Sequence, residues 1–346
     1  MRTFALFTVL LTAAGSCLGG VDILSVTPCS IEMTWQPVRI AAVKVTESGG
    51  IRIALERGVP FDLETWMVEM DRDGYLQECY DMSPAGPAGY GAALDDGTGL
   101  MILTAATRDG DVLWSCPLEG TDDFSNYQQI TELPGGDVLV NSPPDCNSIY
   151  TEVQLISSAG DMLWHLSLGT DYLLGLDEPV GETSADVAGM AATASGDILL
   201  CGGVAQFYTS PTRWFVCLLD GDTGQPMWVT TGEGLGEASL LGVTEASDGS
   251  IVGVGQTAPA EVREGMVCPV WGARQALAVM LDGSGSLSGS VTEDPGSIAS
   301  WQAVAGYDSG RDYAYDSAVP PLEFLVAGVD TVYNELAVLR LEVSRQ

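Results

Sequence analysis

The chain has 346 residues, 46% of them hydrophobic and 8% aromatic, which is enough apolar surface to bury a large core and excludes wholesale disorder. Its formal net charge of −34 arises from 47 acidic residues against 13 Lys and Arg, with Lys44 the sole lysine, so its surface repels nucleic acid and anionic lipid headgroups. The 42 glycines follow no Gly-X-Y period; they read as many tight turns, which favours an all-β chain.

Residues 1–20 read as an export signal: Arg2 is a thin basic start, Phe4 to Ala14 form an apolar run too short to span a bilayer, and small residues follow. Two endings compete. Ala13-Ala14-Gly15 reads as a signal peptidase site, and Ala14-Gly15-Ser16-Cys17 as a permissive lipobox that would make Cys17 an acylated N-terminus. The mature chain, 21–346, is then a single domain, soluble or tethered only at its start, since no later segment is apolar enough to cross a membrane.

Next comes Ile31-Glu-Met-Thr-Trp35, a short strand ending in Trp with no meander before it. Two markers then recur. One is a Gly turn followed by a hydrophobic strand: Gly49-Gly-Ile-Arg-Ile-Ala54, Gly99 to Leu103, Gly136 to Val140, Gly196 to Gly202, Gly249 to Gly255 and, without its Gly, Leu322 to Gly328. The other is an Asp/Gly turn leading to Trp: Thr107-Arg-Asp-Gly110 to Trp114, Ser157-Ser-Ala-Gly160 to Trp164, and Leu219 through Gly224 to Trp228, with weaker copies at Asp71–Gly74 and Asp282–Gly285. Self-similarity at a period of roughly 35 to 65 residues is the signature of a repeat architecture.

Spelled out in the fourth copy, the unit is a four-stranded antiparallel meander over 186–193, 197–203, 213–220 and 225–231. Long helical periodicity occurs nowhere, which argues against alternating strands and helices. The last copy has strands near Trp301 to Ala305, Leu322 to Gly328 and Glu335 to Val343 but stops before a Trp strand, while the N-terminal Trp strand has no meander of its own. Residues 31–36 are therefore expected to complete the last sheet and close a ring. The fold class is a single β-propeller of four-stranded antiparallel blades, six by this count; the second copy is short enough to lack a strand, so five or seven remain open. Trp35, Trp114, Trp164 and Trp228, with Gly110, Gly160 and Gly224, are structural residues.

Asp220-Gly-Asp-Thr-Gly-Gln-Pro-Met-Trp228 resembles the tryptophan-docking repeat of quinoprotein-like (PQQ-repeat-like) propellers, Asp-x-x-Thr-Gly-x-x-x-Trp, and the other copies look like looser versions found in exported bacterial propellers. The resemblance implies a propeller in which each Trp packs between neighbouring blades. It does not imply quinone chemistry, because the vicinal cysteines and calcium constellation of the catalytic members are missing.

The chemistry on offer is sparse. The eight cysteines show no metal-ligand spacing; Cys201 and Cys217, on successive strands, are the best disulfide pair, against both being small buried hydrophobes. Asp-rich turns such as Asp71/Asp73 and Asp220/Asp222 invite calcium but lack an acid in register at the end, and Asp and Gly shape hairpin turns for conformational reasons alone. His165 is the only histidine and no Gly-x-Ser-x-Gly is present, so a His-based triad is unsupported. No cofactor and no metal are expected. The acidity itself reads first as solubility or high-salt adaptation, and more sharply as a cation site or a basic partner.

Loops between copies carry what remains. The longest, Pro143 to Tyr150, Gly169 to Ala185, Ala205 to Thr212 and Thr257 to Arg274, should share one face. Their acids and aromatics, Asp171, Tyr172, Asp177, Glu178, Tyr208, Trp271 and Arg274, are the candidate ligand-binding residues, suited to a protein, peptide or glycan. A further insert, Tyr307 to Pro320, should project from the opposite face. The sequence is thus read as an exported, monomeric, non-catalytic binding or scaffolding module at the cell envelope or outside the cell. The alternative is a carbohydrate-active or other hydrolytic enzyme using two carboxylates on the long-loop face.

Overall fold

A computed structural model describes residues 23–32, 39–45, 51–59, 62–70, 76–81, 89–94, 101–106, 112–119, 129–133, 135–142, 150–173, 183–206, 212–234, 236–263, 266–269, 275–293, 298–307, 322–330 and 335–343. These form a succession of antiparallel sheets. After β1 (Ile23–Glu32), the first sheet holds β2 (Arg39–Val45), β3 (Ile51–Val59), β4 (Asp62–Met70) and β5 (Leu76–Asp81). The second holds only β6 (Gly89–Leu94), β7 (Met101–Ala106) and β8 (Val112–Pro117). The third is β9 (Gln129–Glu132), β10 (Val138–Ser142), β11 (Tyr150–Ile156) and β12 (Met162–Gly169), followed by the single helical turn α1 (Thr170–Leu173). The fourth is β13 (Thr183–Ala192), β14 (Ile198–Gln206), β15 (Arg213–Leu219) and β16 (Pro226–Gly232). In the fifth, β17 (Gly236–Glu245) and β18 (Ile251–Arg263) are joined by β20 (Gln275–Leu281) and β21 (Leu287–Glu293), while β19 (Met266–Pro269) pairs only with the far end of β18. The sixth contains β22 (Ile298–Tyr307), β23 (Leu322–Asp330) and β24 (Glu335–Val343), with β1 at its outer edge.

This is an all-β propeller, and the described residues form six sheets. The ring closes through β1, which pairs antiparallel with β24 from Ile23↔Val343 to Glu32↔Glu335. The closing strand therefore lies earlier than the expected 31–36: it was located by its Trp, whereas the pairing runs through the alternating segment before it. Residues 33–36, Trp35 among them, lie outside the described residues, as do the export segment with Cys17 and the Tyr307–Pro320 insert beyond its first residue. Pro28 sits inside β1 without penalty, because an outermost strand needs its N–H groups on one side only. Among the described residues the second copy has three strands rather than four, with β7 paired to the Trp strand β8 just as β11 is to β12 and β15 to β16.

Successive sheets stack face to face, so their strands are apolar on both sides. On β15, Phe215, Cys217 and Leu219 pack toward the third sheet with Leu139, Val153 and Trp164, while Trp214, Val216 and Leu218 pack toward the fifth with Leu240, Val243 and Leu277. A third cluster, Leu103, Cys116, Leu118, Val138, Val140 and Ile156, fills the junction of the second and third sheets. β2 in turn contacts β22 and β23, joining the first sheet to the last.

The same alternation overturns the expected disulfide. Cys201 is paired with Val216 and Cys217 with Leu200, one register step apart, so the two side chains face opposite sides of the sheet and belong to different cores. Both thiols are free and buried, as is Cys116. Burial raises the pKa of all three, that of Cys217 to about 12, as fits inert small hydrophobes.

The turns explain the glycines. Leu133, Ser157, Thr193, Ala246 and Asp282 each accept the N–H of a glycine three residues on and donate to the carbonyl one residue further. Those glycines, 136, 160, 196, 249 and 285, have φ between 82° and 94°, where a side chain is strained. Into the third-to-fourth-strand turns that carry Gly160, Gly224 and Gly285, the previous sheet sends its tryptophan. A Cβ on Gly160 would lie 2.8 Å from the Trp114 ring, one on Gly224 2.7 Å from Trp164, and one on Gly285 2.7 Å from Trp228. Trp114 Nε1 also donates to Ser158 O (3.1 Å) and Trp164 Nε1 to Gly221 O (2.9 Å), whereas Trp228 Nε1 is buried without an acceptor. The phrases ending in Trp164 and Trp228 are thus each half of two joints, receiving one ring and supplying the next.

Candidate functional site

Because the strands alternate in direction, the glycine turns described above emerge on one face, while second-to-third-strand connections and sheet-to-sheet links emerge on the other. On the latter, the loop face, a pocket of about 160 Å³ opens between the fourth and fifth sheets. It is lined by Thr212 just before β15, by Glu237, Ala238 and Ser239 near the start of β17, and by Gln256, Thr257 and Ala258 of β18. Glu237 organises the wall. Its Oε2 accepts the Thr212 N–H (2.9 Å) and its backbone carbonyl accepts the Thr257 hydroxyl (2.9 Å), while Ala238 N donates to Thr212 O (2.9 Å). These bonds sew the β14–β15 loop onto the next sheet. Beside them, Arg213 pairs with Glu233 (2.9 Å) at the exposed rim.

Small residues make room for this joint. A Cβ on Gly203 would press on Thr212 and Ser239, and one on Gly234 would strike the Thr257 hydroxyl. The result is a floor of hydroxyl, amide and one carboxylate among backbone groups, fit to hydrogen-bond a polar ligand. Glycoside hydrolysis needs an acid and a second carboxylate about 5 to 10 Å apart. Among the described residues lining the pocket, Glu237 is the only carboxylate.

Of the residues singled out in the sequence, Asp171 and Tyr172 fall on α1, in the link between the third and fourth sheets, with Tyr172 exposed. Asp177, Glu178, Tyr208, Trp271 and Arg274 lie outside the described residues. Tyr208 belongs to the loop that ends at the pocket residue Thr212, and Gln275, next to Arg274, is paired with Thr257. The Thr257–Arg274 segment, expected to be a loop, is in part a hairpin: β18 continues to Arg263 and pairs with β19 from Ala260↔Pro269 to Arg263↔Met266. Sequence reasoning missed Glu237, Ser239 and Gln256 because they sit inside strands. The available signal was Glu237 and Ser239 alternating at the start of β17, just before its apolar stretch from Leu240 to Val243.

His165 forms a polar joint rather than a triad. Nδ1 lies 3.1 Å from Glu119 Oε2 and Nε2 2.6 Å from Glu152 Oε2, which also accepts the Ser167 hydroxyl (2.6 Å). No hydroxyl is delivered to the imidazole, so nothing there is poised as a nucleophile. Alongside, the Gln154 amide exchanges two hydrogen bonds with the Glu119 backbone (both 2.9 Å), fastening the end of the three-stranded sheet to its neighbour. The turn acids are likewise engaged. Asp220 Oδ1 accepts the Thr223 hydroxyl and N–H, and Asp282 Oδ1 those of Ser284 and the N–H of Ser286.

No family model and no curated protein matches this sequence. Among solved structures, the chain is similar to a member of the DUF4221 family from Bacteroides vulgatus, at 8% identity and TM-score 0.48 over 95% of this chain and 99% of that one. It is also similar to a protein of unknown function from Bacteroides caccae, at 15% identity and TM-score 0.41 over 82% and 97%. A gluconolactonase from Xanthomonas campestris aligns at 12% identity and TM-score 0.44 over 95% and 98%. Likenesses this distant say nothing of ligand or chemistry.

Proposed function

We propose that this chain is an exported, monomeric binding module, a quinoprotein-like propeller without quinone chemistry, that holds a polar protein, peptide or glycan ligand on its loop face. The pocket over Glu237 carries the reading: hydrogen-bonding side chains from β17, β18 and the end of the β14–β15 loop converge there, at the root of the loops that hold Tyr208, Trp271 and Arg274. Export rests on the N-terminal segment, with Cys17 as the anchor if the lipobox is used. A hydrolase on the same face would need a second carboxylate opposite Glu237.

The test is a glycan and peptide array probed with the mature chain and with Ser239→Ala/Gln256→Ala. Ligands that bind the parent and lose about tenfold or more in affinity for the variant support the reading. An array that yields no ligand, or ligands indifferent to both substitutions, contradicts it.

A further inference from the structure

We propose that the rim of the opposite face, where the tight turns lie, is a second docking surface, built for a cationic amphipathic polypeptide. Its signature is a bulge repeated at the start of the outer strands. Pairing steps from Val112 to Trp114 against Ala106 and Ala105, from Met162 to Trp164 against Ile156 and Leu155, and from Pro226 to Trp228 against Leu219 and Leu218. The residue skipped each time is Leu113, Leu163 or Met227. A bulge re-aims the side chain it carries, and here the three are 61%, 50% and 55% exposed.

The scaffold does not require them. The bulge exists to set Trp114, Trp164 and Trp228 into the next turn, and a polar residue serves equally well at the skipped position. Two flanking sheets show this: Gln77 is passed over between Leu76 and Glu78, and Ser288 between Leu287 and Gly289, and both are exposed. Aliphatic bulge residues therefore occupy three successive sheets and stop at polar ones, with exposed Val112 and Leu287 at the two ends. The docked tryptophans set these positions side by side along a crescent of neighbouring sheets. Trp114, next to Leu113, rests on Gly160, three residues before Leu163, and Trp164 rests on Gly224, three residues before Met227. Single exposed aliphatics need no explanation, but a large apolar side chain at the same re-aimed position of three successive sheets is not random scatter.

Charge identifies the partner. Exposed Asp161, Asp222 and Asp282 stand in the turns along the crescent, and between Arg108 and Arg263 the sequence supplies Arg213 as its only Lys or Arg. A polypeptide with aliphatic residues for the crescent and Lys or Arg for the carboxylates matches both features; an anionic bilayer matches only the first and is repelled by the second.

A labelled peptide of alternating Leu and Lys, read by fluorescence anisotropy against the mature chain, tests this, with a Leu/Glu peptide and neutral phospholipid vesicles alongside. The expected result is binding of the Leu/Lys peptide that weakens about tenfold or more in Leu163→Ser/Met227→Ser and in Asp161→Asn/Asp222→Asn, and is unchanged in Tyr150→Ser at the start of β11. All of these positions are exposed, and circular dichroism checks that each variant keeps its fold. Equal binding by the Leu163→Ser/Met227→Ser variant, which keeps the charge, overturns the proposal, as does equal binding of the Leu/Glu peptide. Vesicle binding that depends on Leu163 and Met227 while the peptide fails to bind overturns it in favour of a lipid surface.

Discussion

Asp282 shows what the turn acids are for. The Ser284 hydroxyl, with the N–H groups of Ser286 and Ser284, holds its carboxyl below the ordinary aspartate value of 3.8, and the Thr223 hydroxyl and N–H do the same for Asp220. A carboxyl depressed in the folded state stabilises above its unfolded pKa and stops doing so as pH falls through the folded one. Asp282→Asn is therefore expected to melt below the parent at about pH 6, with the gap narrowing as pH falls below the ordinary aspartate value of 3.8, in thermal scans across that range. A gap that widens in acid contradicts the assignment. The role of these acids was legible in the sequence because a turn is local: Asp and Gly at fixed offsets specify it without help from the rest of the chain. The faces of Cys201 and Cys217 were not legible, since they depend on a one-residue parity between strands that no local pattern sets.

The element that organises the fold is the turn, bulge and Trp phrase, in which the ring of one sheet seats on the glycine of the next. Two of its joints differ in one hydrogen bond: Trp164 Nε1 donates to Gly221 O, while Trp228 Nε1 has no acceptor among the described residues. Phe at either position loses similar ring area, but only at 164 does it also break a hydrogen bond. Trp164→Phe is expected to cost about 1 to 2 kcal/mol more than Trp228→Phe in denaturant unfolding. Equal costs would mean that the indole bond at 164 contributes nothing. The phrase was readable because Gly and Trp recur four residues apart in its three full copies. The bulge inside it was not, because a skipped residue looks like any other strand residue until the partner strand is known. The same holds for Glu237 and Gln256, which meet only when two strand ends are brought beside the loop of a neighbouring sheet.

At the scale of the molecule, the two faces divide the work. The turn face holds the sheets together and leaves an aliphatic, acidic rim, and the loop face carries the Glu237 pocket. Both depend on a ring whose last sheet is finished by the first strand. The expectation of such closure came from counting: one Trp strand too many at the start and one strand too few at the end. Its position could not be counted, because β1 carries no marker and contains a proline that reads against a strand until its edge position is known. Closure can be trapped covalently, since Cys29 is paired with Val338 and directly opposed antiparallel residues have Cα atoms about 4.5 to 5.5 Å apart, within disulfide reach. Oxidation of Val338→Cys, followed by non-reducing peptide mapping, is expected to yield a linked peptide joining Cys29 to the cysteine introduced at 338. If the introduced thiol stays free, or links to another cysteine while Cys29 remains reduced, the first strand does not close the last sheet and the ring described here is wrong.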